Sequence, residues 1–207
     1  MVSRIRSLKR LVYLISPNKI YSNFYNDLDK ILSSKKVSFF QLRLKKKPKK
    51  LIVKIAKQIK KITDKYNVKF ILNDDTRLAK KINADGCHIG QLDSTVSLAR
   101  KDINRKIVGV TCHGSKELAL KASRDKADYL AFGSFYKSKL KPNAKKADIK
   151  ILFWAKKNIK KPIVVIGGIT DKNYKKLIKA GANYIAISTF IWNNPFLKPE
   201  VAIKKFK

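Results

Sequence analysis

Short apolar runs alternate with longer amphipathic segments along almost the whole chain. Eight of the short runs predict strands, at residues 11–16, 39–43, 69–73, 86–89, 107–111, 129–132, 163–166 and 184–187. Their β-branched and aromatic residues, with few charges among them, are typical of parallel strands that are buried on both faces. The clearest helix is predicted to begin at Pro48, and its periodicity places these residues on one stripe: Ile52, Ile55, Ile59, Ile62 and Tyr66. Further helices are predicted at 115–126 and 173–180.

A weak internal repeat supports this count of strands. Three predicted strands are entered through similar segments, namely Ala84-Asp85-Gly86, Ala127-Asp128-Tyr129 and Ala182-Asn183-Tyr184, whose last residue is the first of the strand. Eight strand–helix units in order predict an α/β fold, a single-domain (β/α)8 TIM barrel over residues 1–207, with residues 1–10 as a basic N-terminal extension. An open, doubly wound sheet is the alternative. In a barrel, polar residues at the carboxyl ends of the strands surround one mouth, and we expect the chemistry there.

Two predicted strands in succession end in a carboxylate. Asp74 follows the apolar residues 70–72, and Asp93 follows the strand that begins at Gly86. Acids are scarce in this chain, with 14 Asp and Glu against 49 Lys and Arg. A hard cation such as Mg²⁺ prefers carboxylate, phosphate and water oxygens, so the pair predicts a divalent cation above the sheet. The alternative is that Asp74 or Asp75 caps the next helix.

Cationic and glycine-rich segments after other strands indicate an anionic ligand. The period of two places Gln41, Arg43 and Lys45 on one side of their strand, where two cations and an amide suit a polyphosphate and the edge of a heterocycle. An inward Arg in a barrel layer is the other interpretation. Gly167-Gly168 and Ser188 follow the seventh and eighth strands, where this fold commonly binds phosphate. A plain turn is the alternative there.

The net charge of +35 raises the question of nucleic-acid binding. The basic residues are mostly Lys and are spread over nearly every predicted helix. Proteins that recognise nucleic-acid bases and phosphates favour Arg, because its guanidinium donates two hydrogen bonds at once. A nucleic acid is therefore not expected as the main partner. The chain has no apolar run of membrane-spanning length, and its cysteines, Cys87 and Cys112, form no paired motif, so a reduced, cytoplasmic protein is predicted. Zinc binding by Cys87-His88 and Cys112-His113 on neighbouring strands is disfavoured because adjacent strand residues point to opposite faces.

Six segments, in order along the chain, resemble the thiamine-phosphate synthase family. They are Gln41-Leu-Arg-Leu-Lys45, Leu72-Asn-Asp-Asp75, Ala84-Asp-Gly-Cys-His-Ile-Gly-Gln-Leu-Asp93, Gly109-Val-Thr-Cys-His113, Asp128-Tyr-Leu-Ala-Phe-Gly133 and Val165-Ile-Gly-Gly-Ile169. The resemblance implies a transferase that joins hydroxymethylpyrimidine diphosphate to thiazole phosphate and releases pyrophosphate with the help of Mg²⁺. The related thiazole tautomerase is the alternative enzyme, but it typically lacks the two aspartates and has His where this chain has Ser134. A basic anion-binding or nucleic-acid-binding barrel is the non-enzymatic alternative.

The resemblance also assigns residues to each ligand. It implies that Asp74 and Asp93 bind the metal, and that the pyrimidine diphosphate contacts Gln41, Arg43, Lys45, Asn73, Thr111 and Lys141. For the thiazole phosphate it implies Ser138, Lys139, Gly167, Gly168, Ile187 and Ser188. Arg43, Lys45 and Lys141 are the implied catalytic cations. The segment from Lys137 to Lys141 departs from the family's Pro-Thr-x-Thr-Lys, since Leu140 has no hydroxyl. The expected partners are small phosphorylated molecules and no membrane, with a homo-oligomer left open.

Overall fold

A computed structural model of the chain describes residues 10–137 and 145–207. Eight parallel strands close into a barrel in sequence order, so the predicted TIM barrel is confirmed and the open-sheet alternative is wrong. The strands are β1 Val12–Ile15, β2 Val37–Leu42, β3 Lys69–Asn73, β4 Gly86–Ile89, β5 Ile107–His113, β6 Tyr129–Phe132, β7 Ile163–Ile166 and β8 Tyr184–Ile187. We call the end of the barrel formed by the carboxyl ends of the strands the mouth, and the opposite end the base.

Helices follow the strands and cover the outside of the barrel. They are α1 Phe24–Ser33, α2 Lys49–Lys65, α3 Thr76–Lys81, α4 Val96–Ile103, α5 Lys116–Arg124, α6 Lys150–Asn158, α7 Tyr174–Lys179, α8 Thr189–Trp192 and α9 Pro199–Ala202, with a short 3₁₀ turn at Ile203–Lys205. The predicted start of α2 is confirmed, because Pro48 is its N-cap residue. Ser115 caps α5 by accepting a hydrogen bond from the Leu118 N–H at 3.1 Å. None of the helices in the described ranges combines the length and hydropathy that a membrane span requires.

The apolar residues form two concentric layers, as alternation along the strands requires. The inner layer fills the barrel and consists of Tyr13, Ile15, Phe39, Ile71, Tyr129, Ala131, Val164, Tyr184 and Ala186. The outer layer lies between strands and helices, and its strand residues include Leu14, Phe40, Leu72 and Val165. Burying each large apolar side chain contributes roughly 1.5–3 kcal/mol. The inner layer supports the mouth from below.

The sequence repeat has a structural role at the base. In each copy an Asp or Asn side chain accepts a hydrogen bond from a backbone N–H of the preceding strand: Asp85 from Phe70 at 2.9 Å, Asp128 from Val108 at 2.8 Å, and Asn183 from Ile163 at 2.8 Å. The backbone N–H groups of the same three residues donate back to the carbonyl oxygens of those partners. The repeat therefore ties β4 to β3, β6 to β5 and β8 to β7.

Arg10 is the one residue of the predicted N-terminal extension within the described ranges. Its guanidinium donates to the carbonyl oxygens of Val37 at 3.3 Å and Tyr66 at 3.0 Å. Arg10 therefore binds the base of the barrel between β2 and α2.

Candidate active site

The two predicted metal-binding aspartates come together at the mouth. Asp74 directly follows β3 with a left-handed backbone, φ +68°, and its carboxyl group lies close enough to the Asp93 carboxyl group for Asp93 to act on its pKa. Burial raises the pKa of Asp74, and the neighbouring Asp93 raises it further. The Lys45 ammonium lies 3.4 Å from Oδ2 of Asp74 and acts in the opposite direction. The turn that carries Asp93 is closed by the Gly90 N–H, which donates to Oδ2 of Asp93 at 2.7 Å.

This carboxylate pair fits a hard divalent cation. Asp74 is half-buried and Asp93 is exposed, and the negative charge that Asp93 places beside Asp74 is offset by a cation bound to both carboxylates. Among the described residues no group of three or more His, Cys, Asp or Glu side chains could hold a metal ion. The further ligands would therefore come from substrate oxygens and water, which is how Mg²⁺ is usually bound beside phosphates.

Asp75, the next residue, has a different role from Asp74. Its carboxylate is the N-cap of α3, accepting from the Leu78 N–H at 2.8 Å, and it pairs with the Lys49 ammonium at 2.7 Å. Burial raises the pKa of Asp75, but these two hydrogen bonds outweigh burial and lower it overall. The helix-capping alternative is thus right for Asp75 and wrong for Asp74.

The side chains of β2 and the residues after it alternate as the sequence predicts. Gln41 is buried inside the barrel, whereas Leu42 and Leu44 lie in the outer layer. Lys45, four residues beyond Gln41, has its ammonium 3.4 Å from Oδ2 of Asp74 at the mouth. Arg43 is half-buried between them, and its backbone N–H donates to Oγ of Ser16 at 3.0 Å.

Below the mouth, His88 connects the inner layer to Thr111. Its Nε2 lies 2.8 Å from Oγ1 of Thr111, and its Nδ1 lies 2.9 Å from the Tyr129 hydroxyl. Tyr129 is in turn bonded to the hydroxyl of Tyr13 at 2.7 Å. Burial lowers the pKa of His88 to about 4, so the ring is neutral at physiological pH. Asn73, the last residue of β3, is half-buried beside this group.

Sequence reasoning did not assign Tyr13, His88 or Tyr129 to the site. The available signal was alternation: His88 and Tyr129 lie on the inward phase of β4 and β6. The opposite phase places Cys87 and Cys112 in the outer layer as free, buried thiols. Cys87 and His88, adjacent on β4, therefore face opposite ways, which disfavours zinc binding by this pair.

The glycines after β7 pack closely against the segment after β6. Gly167 and Gly168 have φ of +109° and +58°. A Cβ on Gly167 would lie 2.0 Å from Oγ of Ser134, and one on Gly168 would lie 2.3 Å from the carbonyl oxygen of Lys137. Both positions therefore require glycine, for conformation and for space. This close approach joins the two segments into one wall of the mouth.

The other predicted thiazole-phosphate residues are only partly described. Ser188 follows β8, and its hydroxyl donates to the carbonyl oxygen of Ser16 at 3.2 Å. The Ile187 side chain is buried in the outer layer, so only its backbone can face the mouth. Ser138, Lys139 and Lys141 lie outside the described residues, as does Leu140.

Comparison with known proteins agrees with this architecture. The profile of the family described as "Thiamine monophosphate synthase" matches residues 12–191. A thiamine-phosphate synthase of Pelagibacter ubique (strain HTCC1062) is 56% identical over 200 residues, covering 96% of this chain and 97% of the relative. One from Erythrobacter litoralis (strain HTCC2594) is 37% identical and covers 88% of each chain. The solved thiamine phosphate pyrophosphorylase of Pyrococcus furiosus superposes with a TM-score of 0.86 at 25% identity, covering 96% of this chain and 94% of that one.

Proposed function

We propose that this chain, which belongs to the thiamine-phosphate synthase family, joins hydroxymethylpyrimidine diphosphate to thiazole phosphate and releases pyrophosphate. It is an enzyme of the transferase class, and its substrates are small phosphorylated molecules. The observation that carries the proposal is the pairing of Asp74 with Asp93 beside Lys45 at the mouth. The relatives described above are synthases, so the tautomerase alternative is not favoured.

The proposed leaving-group site consists of the carboxylate pair and the cations of the segment after β2. Asp74 and Asp93 would hold Mg²⁺, which when bound would neutralise charge on the departing diphosphate. Lys45 already lies beside Asp74, and Arg43 lies on the same side of its segment. These fixed positive charges stabilise the negative charge that develops on the leaving group, which is the main task of such a site.

The pyrimidine would lie over the inner layer, near Gln41, Asn73 and Thr111. Loss of pyrophosphate leaves a cation on the exocyclic carbon, stabilised by the ring amino group, and the thiazole nitrogen then attacks that carbon. No protein nucleophile is required. The chain contributes placement of two reactants and electrostatic stabilisation, and placement alone can account for a large part of the rate.

The proposed thiazole-phosphate site lies on the opposite wall. Backbone groups of Gly167, Gly168 and Ile187 and the hydroxyl of Ser188 would bind the phosphate, as expected for the loops after β7 and β8. The close packing of Gly167 against Ser134 supports a rigid wall there. Ser138, Lys139 and Lys141 remain predictions from the sequence.

We also propose that the protein acts in the cytoplasm. The support is that Cys87 and Cys112 are both free and buried, as expected in a reducing compartment. The expectation that nucleic acid is not the main partner stays a prediction.

The test is a coupling assay that measures thiamine phosphate and pyrophosphate together. Both products should appear only when both substrates and Mg²⁺ are present, and addition of a chelator should stop the reaction. The Asp93→Ala variant should lose the reaction while keeping the wild-type circular dichroism spectrum. Full activity of Asp93→Ala, or of wild type in chelator, would contradict the proposal.

A further inference from the structure

Five side chains form one continuous hydrogen-bonded chain across the interior of the barrel, which we call the relay. The contacts run from Nε2 of Gln41 to the Tyr13 hydroxyl at 2.9 Å, and from there to the Tyr129 hydroxyl at 2.7 Å. They continue from Tyr129 to Nδ1 of His88 at 2.9 Å, and from Nε2 of His88 to the Thr111 hydroxyl at 2.8 Å. Gln41, Tyr13 and Tyr129 are buried, and the relay ends at the mouth.

The first member of the relay determines the direction of the others. An amide nitrogen can only donate, so the Tyr13 oxygen accepts from Gln41. Tyr13 must then donate to Tyr129, because the reverse would leave the Tyr13 proton without an acceptor among the relay groups. Tyr129 donates in turn to Nδ1 of His88, and the neutral ring carries its single proton on Nε2.

The last step concerns the hydroxyl of Thr111. It accepts from the Nε2–H of His88, so its own proton is not used within the relay. Thr111 is half-buried near the carboxyl end of β5, at the mouth. With the opposite direction, Thr111 would donate to His88 and could offer a ligand only its lone pairs.

We propose that the relay holds His88 as the Nε2–H tautomer and thereby presents Thr111 as a hydrogen-bond donor to an acceptor on the pyrimidine diphosphate, such as a phosphate oxygen or a ring nitrogen. Tyr13, Tyr129 and His88 are positioning residues in this scheme, because they act through Thr111. The ligand in this inference rests on the proposed function, whereas the tautomer does not.

Packing keeps the relay in this geometry. The rings of His88 and Tyr129 are stacked, with centroids 5.6 Å apart and planes 15° from parallel. Tyr129 also meets Tyr13 edge to face, with centroids 5.6 Å apart. Gly109 makes room for the Tyr129 ring, since a Cβ there would lie 1.9 Å from Cζ of Tyr129. The low pKa of His88, caused first by burial, agrees with a neutral ring.

The direct test is NMR of the ligand-free chain labelled with ¹⁵N in the histidine rings. The sequence contains two histidines, so His113, which is exposed, serves as an internal reference for a ring that samples both tautomers in water. Long-range ¹H–¹⁵N correlations should show His88 as a single tautomer protonated on Nε2. A ring protonated on Nδ1, or on both nitrogens at neutral pH, would overturn the proposal.

Two variants test whether Gln41 sets the direction. Tyr13→Phe and Gln41→Met each interrupt the link to the amide, and either should convert the single His88 pattern into a mixture of both tautomers. Tyr174→Phe is the matched control: it removes a buried tyrosine hydroxyl, bonded to Lys207, from the outer layer, and should leave the His88 pattern unchanged. An unchanged single tautomer in both test variants would refute the role of Gln41.

Binding of the pyrimidine diphosphate tests the donor role of Thr111. Thr111→Ser keeps the hydroxyl and should bind within about 3-fold of wild type, whereas Thr111→Val should bind at least about 10-fold more weakly. Equal binding by wild type and Thr111→Val would overturn the inference. Failure of wild type to bind this ligand would instead count against the proposed function, and the NMR result would still decide the tautomer.

Discussion

The two ends of the barrel use the same kind of side chain in opposite ways. At the base, the side-chain oxygens of Asp85, Asp128 and Asn183 each accept a backbone N–H of the neighbouring strand, and Arg100 also pairs with Asp128. At the mouth, Asp74 and Asp93 face each other, and the pKa of Asp74 is raised by burial and by Asp93. The base carboxylates accept hydrogen bonds from neighbouring strands, whereas the mouth carboxylates lie beside each other, with Lys45 next to Asp74.

The base of the barrel therefore contributes mainly to stability, and the mouth carries the proposed chemistry. A carboxylate that accepts backbone hydrogen bonds stabilises the fold, and its removal leaves a buried donor without a partner. A carboxylate pair with unfavourable mutual charge weakens the unliganded fold and strengthens ligand binding. The division agrees with the general rule that barrels of this type carry chemistry at the carboxyl ends of their strands.

The largest expected effect is on activity at the mouth. Asp74→Asn should lower kcat by about 100-fold or more, because it removes one charge from the site that stabilises the leaving group. Asparagine tolerates the left-handed backbone at this position, so the fold should persist. Steady-state kinetics of pyrophosphate release measure the effect. An activity within a few-fold of wild type would mean that Asp74 does not take part.

The next effect is on stability at the base. Asp128→Ala leaves the Val108 N–H and the Arg100 guanidinium without this acceptor, and should lower the free energy of unfolding by about 1–3 kcal/mol. Urea unfolding followed by circular dichroism measures it. The kcat of the folded variant should equal that of wild type. A large fall in kcat with an unchanged free energy of unfolding would mean that Asp128, at the base of the barrel, serves activity and not stability.

Asp75 lies at the mouth, but its carboxylate accepts a backbone N–H as the carboxylates at the base of the barrel do. Asp75→Ala removes the N-cap of α3 and should cost about 0.5–2 kcal/mol of unfolding free energy. Activity should change far less than in Asp74→Asn. Measuring kcat of Asp75→Ala and Asp74→Asn in one assay distinguishes the roles of these two adjacent residues. Equal losses of activity would indicate that position, and not hydrogen bonding, decides the role.

The smallest effect is a gain in stability. The raised pKa of Asp74 means that the folded, metal-free chain holds a proton more tightly than the unfolded chain, so stability falls as pH rises through that pKa. Asp74→Asn should therefore raise Tm by about 1–2 °C at neutral pH in chelator. The difference in Tm should disappear below the ordinary pKa of aspartate, where the Asp74 carboxyl group is protonated in both the folded and the unfolded chain. Thermal melts over a pH series check the sign, and a lower Tm for Asp74→Asn at neutral pH would contradict it.

The strand order and most strand limits were predictable because apolar runs and turn residues are local signals. The limits of β3, β4, β6, β7 and β8 agree with the prediction, but β2 begins earlier, at Val37, and β5 extends to His113. Val37 pairs with Val12 of β1, and His113 pairs with Phe132 of β6. Such pairing depends on the neighbouring strand, which a local pattern does not contain.

Local periodicity and residue order were enough to predict eight strand–helix units and an aspartate directly after β3. The expectation that Asp93 closes β4 was wrong, because β4 ends at Ile89 and Asp93 lies in the exposed turn that follows. The separate roles of Asp74, which lies beside Asp93, and Asp75, which caps a helix, were visible in the folded chain alone, since these two neighbours differ in backbone conformation. The tertiary structure also decided the contact between Tyr13 and Tyr129, which lie 116 residues apart. Closure and register of the barrel bring such residues together, and both depend on all eight strands at once.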